Sequence, residues 1–131
     1  MPKFSDHSKE ILNTCHIDIQ QVFYEVIKTI DCRAISGFRG EAEQDKLYYT
    51  GKSQVKYPNS YHNKMPQSHA IDIMPYPIDW NDRERCTLFA GYVLGVADSM
   101  GVKLTWGGDW NRNFKVGDNK FDDFAHFQIE E

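Results

Sequence analysis

No stretch of this chain is apolar for the roughly 20 residues that a bilayer-spanning helix needs. The N-terminus, from Met1 through Leu12, also lacks the apolar centre of a secretory signal, so export by that route is not expected. A surplus of positive charge is missing too. Fifteen Lys and Arg stand against 19 Asp and Glu, a net charge of −4, which argues against a broad basic surface for nucleic acid while leaving room for a local patch. Cysteine is scarce: Cys15, Cys32 and Cys86 are odd in number, widely spaced and form no CxxC pair. That excludes a disulfide framework and reads as buried or free thiols in a reducing cytosol. Internal repeats, low-complexity tracts and linkers are absent as well, so the 131 residues read as one domain, 1–131, around a single core.

What is present is a succession of short periodic segments. Ser5 is placed to cap a first helix running towards Asn13-Thr14. Ile19, Val22, Phe23, Val26, Ile27 and Ile30 then recur at the spacing of one helix face. Cys32–Arg39 reads as a strand with Gly37 permitting a bend, and Glu41–Thr50 as a helix stopped by Gly51. Residues 51–67 turn to Gly, Ser, Asn, Lys and Pro, a long loop of the kind that is usually functional. Ala70–Met74 follows as a short strand closed by Pro75 and Pro77. Asn81-x-x-Glu84 has the form of a capping box, and it opens a long helix whose apolar positions run from Leu88 to Met100, before Gly101. Val102–Trp106 alternates as a strand, 107–122 is a second polar loop, and Phe124–Ile129 is the last strand. This order predicts an α+β fold: a small antiparallel sheet packed against helices, with one long helix and two functional loops.

The chemistry gathers around three groups. Asp72 lies inside the apolar run Ala70-Ile71-Asp72-Ile73-Met74, where a carboxylate would be buried and would need partners. His62 and His69 precede it, and His126 lies far along the chain beside Asp122 and Asp123. Imidazole and carboxylate are zinc ligands, and a catalytic zinc usually takes three protein ligands. In an extended strand Asp72 shares a face with Ala70 and Met74 while His69 projects oppositely. His62, in the flexible loop, can fold onto the Asp72 face, which favours His62, Asp72 and His126 as the ligand set. His69 stays open as the alternative to His62. Asp123 stands at the entrance of the final strand, but extended backbone would put it on the face opposite His126, so a bend at Asp123-Phe124 is required. Arg39 offers a guanidinium for a carboxylate or oxyanion, or else a surface salt bridge. In Trp106-Gly107-Gly108-Asp109-Trp110 the tryptophans suit either a groove wall or the core. Asp109-x-Asn111-x-Asn113 is patterned like the start of a calcium loop. It carries Phe114 at the turn glycine and Lys120 at the bidentate acid, which rules out an EF-hand.

Ser60-x-His62, Ala70-x-Asp72 and Asp123-x-x-His126 resemble the pattern of the zinc peptidases that include D-Ala-D-Ala carboxypeptidases and dipeptidases. Pro75-Tyr76, Ile78-Asp79-Trp80, the Trp106–Trp110 segment and the strand leading to Gly37-Phe38-Arg39 are most similar to the phage endolysin branch, the L-alanyl-D-glutamate peptidases. The resemblance runs from about Ile19 to Gln128. It implies Zn2+ on His62, Asp72 and His126, Asp123 as catalytic acid–base, and Arg39 holding a substrate carbonyl or carboxylate. It further implies action on the peptidoglycan stem peptide; the charge and the short apolar runs predict neither nucleic acid nor membrane as partner, and a monomer is expected. The protein would wait in the host cytoplasm until lysis. One departure is the longer spacing between His62 and Asp72, read as a lengthened 63–68 loop. The rival expectations are a D-Ala-D-Ala carboxypeptidase or dipeptidase, and a metal-free wall-binding module; Asp123 argues against the last, since binding alone needs no base.

Overall fold

The computed structural model describes residues 2–130 and is α+β. Four helices, α1 (Asp6–Leu12), α2 (Ile17–Val26), α3 (Glu41–Tyr49) and α4 (Arg83–Ser99), accompany four strands, β1 (Cys32–Ser36), β2 (Ala70–Pro75), β3 (Leu104–Gly107) and β4 (Asp123–Ile129). The strands form one sheet in the order β1-β2-β4-β3 with every neighbour antiparallel. Ser5 caps α1, its side chain accepting from the Ser8 amide. The apolar face of α2 buries Ile19, Val22, Phe23 and Val26. The helix itself ends at Val26, and Ile30 reaches the core from the turn that follows.

The start of α4 differs from expectation. Its cap is Asp82, whose carboxylate accepts from the Arg85 amide, while the Asn81 amide is engaged by the Asp79 side chain. Asn81 is thus held in the preceding turn, and the helix begins one residue later than the Asn81-x-x-Glu84 pattern implies. Gly101 ends α4 with φ +74°, a conformation that side chains with a Cβ avoid. Gly37 serves otherwise than as a flexible bend. A Cβ there would stand 2.3 Å from Thr14 Oγ1 and 2.8 Å from the Ile11 carbonyl oxygen, so the end of α1 lies directly on the backbone after β1.

The main core lies between one face of the sheet and helices α2 and α4. Ile71 and Ile73 of β2 and Phe127 of β4 join Phe23, Phe89 and Val93 there. Phe127 is fully buried and packs edge-on against Phe23 (5.5 Å between centroids) and Phe89 (6.2 Å). Side chains alternate along a strand, so the residues flanking these apolar ones, Asp72 on β2 and His126 on β4, point to the opposite face. The three cysteines are free and buried, and burial pushes the Cys15 and Cys32 thiols up to about 12. Among the described residues no helix is long and apolar enough to cross a membrane.

Phe127 connects both helices to the central pair of strands, so Phe127→Ala should remove about 3–5 kcal/mol of stability. Equilibrium unfolding in urea, compared with the unsubstituted protein, measures it.

Candidate metal centre

Asp72 stands at the middle of a three-strand rung. It pairs with His126 of β4 on one side and with Ser36 of β1 on the other. The second pairing depends on a register irregularity between Ala34 and Ser36, which leaves Ile35 without a partner in the ladder. His62 reaches the same point from a single 3-10 turn, Tyr61–Asn63. That turn is closed by a reciprocal cap, Ser60 Oγ accepting from the His62 amide and Asn63 Oδ1 accepting from the Ser60 amide. The Asn63 side-chain amide in turn donates to the Arg39 carbonyl, and the Arg39 amide donates to the His62 carbonyl. His62 is therefore held in place by the turn itself, whatever the length of the 63–68 segment that follows.

Three atoms converge on this rung. His62 Nε2 is 3.2 Å from Asp72 Oδ1 and 3.2 Å from His126 Nδ1, and His126 Nδ1 is 3.3 Å from Asp72 Oδ1. All three residues are buried. On the far side of its ring, His62 Nδ1 lies 2.8 Å from the Gly37 carbonyl oxygen. A carbonyl can only accept, so Nδ1 carries a proton, and in the neutral ring it is the lone pair of Nε2 that faces Asp72 and His126. A tetrahedral ion with bonds of about 2.0–2.1 Å would separate its ligand atoms by about 3.3 Å, so the donor set fits a metal in both chemistry and spacing. His69 is elsewhere, its ring edge-on to His16 with centroids 5.4 Å apart. His62, and not His69, joins the group.

Asp72 uses its two oxygens differently. Oδ1 faces the imidazoles, and Oδ2 accepts a 2.7 Å bond from Arg39 Nη2. Arg39 is itself steadied by a bond from Nε to Ser36 Oγ, 3.0 Å. It is not the surface ion pair that its sequence position also permitted. Burial alone would raise the Asp72 pKa, but with the imidazoles protonated the His62 charge and hydrogen bonds from both rings hold the carboxyl well below the usual range. For His126 burial favours the neutral ring, yet the hydrogen bond and charge of Asp72 prevail and raise its pKa.

The bend needed at the start of β4 is present. Trp106 pairs with Phe127 but the next residue, Gly107, pairs with Asp123, so Phe124–His126 bulge out of register with β3 while His126 stays paired with β2. Gly107 makes this possible, because a Cβ there would lie 2.1 Å from the Asp123 carbonyl oxygen. Trp106 Nε1 ties down the bulge by donating to the Phe124 carbonyl, 2.8 Å. Asp123 consequently lines the same cavity of about 450 Å3 as Arg39, His62, Asp72 and His126. Burial, first, and the Asp72 charge, second, raise its pKa. Asp122 turns away, accepting from the Asn119 side chain at 2.9 Å and lying 4.0 Å from Arg83. The two tryptophans divide the roles left open for them. Trp106 is core, while Trp110 lines the cavity with its ring 5.3 Å from that of His126. Asp109 belongs to neither group: its buried carboxylate caps the amides of Asn113 and Phe114 in the 107–122 loop.

Several contributors went unmarked in the sequence. Gln44 is fully buried and donates to Ser53 Oγ and the Val55 carbonyl, fixing one cavity wall to α3. Lys52 lines the cavity and adds a second cation to Arg39. Gln128 Oε1 lies 2.8 Å from His126 Nε2, and the only hint of this was the two-residue spacing that puts both on one strand face.

The chain matches the sequence model of the phage L-alanyl-D-glutamate peptidases over residues 1–129. The L-alanyl-D-glutamate peptidase of Escherichia phage T5 is 30% identical, with 83% of this chain and 82% of that protein covered. The crystal structure of the L-Ala D-Glu endopeptidase ChiX of Serratia marcescens has the same fold, with a TM-score of 0.76 over 98% of this chain and 90% of its own, at 24% identity. With the model spanning nearly the whole length and the phage T5 relative agreeing, this chain belongs to the phage L-alanyl-D-glutamate peptidase family.

Proposed function

We propose that the protein is a zinc peptidase that hydrolyses the L-alanyl-D-glutamate bond of the peptidoglycan stem peptide during host lysis. The observation that carries this reading is the meeting of His62 Nε2, Asp72 Oδ1 and His126 Nδ1 within 3.3 Å of one another at the wall of an open cavity. These three residues would hold Zn2+. When bound, zinc supplies a Lewis acid for the scissile carbonyl and lowers the pKa of water. The bond named for the family supplies the substrate class.

The remaining work falls to side chains of the cavity. Asp123 accepts a proton from the attacking water and returns it to the leaving amine nitrogen of D-Glu. A carboxyl with a raised pKa suits that exchange better than an ordinary one. Arg39 has five N–H groups, more than Asp72 and Ser36 engage, and offers the remainder to the substrate carbonyl or to the oxyanion that develops from it. Together with Lys52 it gives the cavity a cationic wall, which suits a peptide carrying the free carboxylate of D-Glu.

Purified protein should take up about one zinc per chain. His62→Ala, Asp72→Ala and His126→Ala should each abolish uptake, and His69→Ala should leave it intact, as read by metal analysis after dialysis. Loss of zinc in His69→Ala with retention in His62→Ala would reverse the ligand assignment. Protons compete with zinc for His126, whose pKa is raised, and Asp123 must be ionised to accept a proton. Both shifts have the same sign, so zinc uptake and turnover should fall together as the pH is lowered.

Digestion of purified peptidoglycan should release new L-Ala carboxyl termini and D-Glu amino termini, identified by mass spectrometry of the muropeptides. Free D-Ala as the main product would point instead to a carboxypeptidase. Asp123→Asn should keep zinc and fold but lose about a hundredfold or more in rate, whereas Asp122→Asn should be nearly silent. Full activity in Asp123→Asn would remove Asp123 from the mechanism.

A further inference from the structure

A buried metal ligand must present a lone pair, not an N–H, and for a neutral imidazole that is a choice between two tautomers. The Gly37 carbonyl makes the choice for His62. For His126 the neighbour is a side chain, Gln128, whose amide offers an acceptor at one end and donors at the other.

The orientation of that amide follows from its second contact. Gln128 Nε2 lies 3.3 Å from Glu130 Oε1. An ionised carboxylate can only accept, so the amide turns its NH2 towards Glu130 and its oxygen towards His126. His126 Nε2 must then donate across the 2.8 Å contact. Asp72 Oδ1, 3.3 Å from Nδ1, competes for the ring proton, but the Gln128 contact is shorter; with the proton on Nε2, Nδ1 is a lone pair facing Asp72 Oδ1 and His62 Nε2. The backbone makes this arrangement rigid, since Gln128 pairs with Ala70 of β2 on one side and Thr105 of β3 on the other. Trp110 packs against the His126 ring and limits its reorientation.

We propose that Gln128 is a positioning residue, oriented by Glu130, that holds His126 in the Nε2–H tautomer and thereby directs Nδ1 to the metal. This rests on the reading of His126 as a metal ligand. Gln128 also lines the cavity, but the role argued here acts through the imidazole and not through substrate. Without an acceptor beside Nε2, Asp72 Oδ1 is the acceptor that remains, the neutral ring shifts its proton towards Nδ1, and part of the population presents an N–H to the metal position. Loss of such an outer partner typically costs about 10–100-fold in metal affinity.

Two measurements test the assignment: zinc affinity by competition with a chromophoric chelator, and the His126 tautomer by long-range proton–nitrogen correlation on 15N-labelled protein. The zinc-free protein would be studied at alkaline pH, where the ring is neutral. The unsubstituted protein should show Nε2–H in zinc-free samples. Gln128→Leu, which removes the acceptor, should bind zinc about 10–100-fold more weakly and show a mixed tautomer. Gln128→Glu, which keeps an acceptor, should restore both. Glu130→Gln, which frees the amide to turn, should fall between the unsubstituted protein and Gln128→Leu. A folded Gln128→Leu with unchanged affinity and tautomer would overturn the proposal. So would an Nδ1–H tautomer in the unsubstituted protein, a result that stands even if Gln128→Leu fails to fold. An Nε2–H tautomer in a protein that binds no zinc would sink the metal reading, and the metal-directing role with it, and leave only the tautomer assignment supported.

Discussion

A carboxylate buried in the middle strand of a sheet is the constraint around which this molecule is arranged. Taking Asp72 out of water costs several kcal/mol unless charge and hydrogen bonds offset it. The offset comes from three directions: Arg39 at 2.7 Å on one oxygen, and on the other His62 and His126 at 3.2 and 3.3 Å, through a proton or a cation held between them. No single element could supply all of these. His126 arrives on β4, the neighbour on one side of β2, and Arg39 follows β1, the neighbour on the other. The strand order β1-β2-β4 is thus also the order of the charges. On the reverse face of the same strand, Ile71 and Ile73 hold β2 to α2 and α4 through the core. One alternating segment anchors the sheet and carries the site.

That double role explains what could be read from the chain. Asp72 was conspicuous because the residues flanking it are unambiguously apolar; strand alternation turned His69 away from its face, and His62 was favoured because its loop can fold onto that face, with His69 left open as the alternative. Helices α1, α2 and α4 were legible from caps and periodicity, with errors of a residue at Asn81 and of a turn near Ile30. The partners of Arg39 and Gln128 were not legible. Arg39 meets Asp72 only because β1 slips register between Ala34 and Ser36, and a slip of register leaves no mark in a hydrophobic pattern. Gln44 was hidden for a different reason. α3 buries that amide and almost nothing apolar, so the usual signal of a packed helix face is missing.

Two glycines govern where the site atoms lie, and neither acts through a left-handed backbone. At Gly37 the missing Cβ lets α1 close on the chain, beneath the carbonyl that accepts from His62. At Gly107 it lets the Asp123 backbone come within contact, so that β4 can bulge and bring Asp123 and His126 to one cavity. A side chain at either position would act on the site without touching it. Close backbone approach is the physical demand, and it is invisible in sequence except as a glycine with no turn to explain it.

The arrangement also places two carboxyl groups in opposite electrostatic settings. Asp72 and Asp123 face one cavity, and their environments drive them apart. Imidazoles and a guanidinium keep Asp72 ionised, fit for a cation and unfit to carry protons. Burial raises Asp123, and the charge fixed on Asp72 is the next contribution in the same direction. The separation is therefore cooperative: the more firmly Asp72 is held as an anion, the more readily Asp123 holds a proton. Pairs of acids pushed apart in this way mark the division between a permanent charge and a proton carrier. Here the opposite shifts of the two carboxyl groups follow from a single buried rung, Ser36–Asp72–His126, and from the bulge that carries Asp123 into its field.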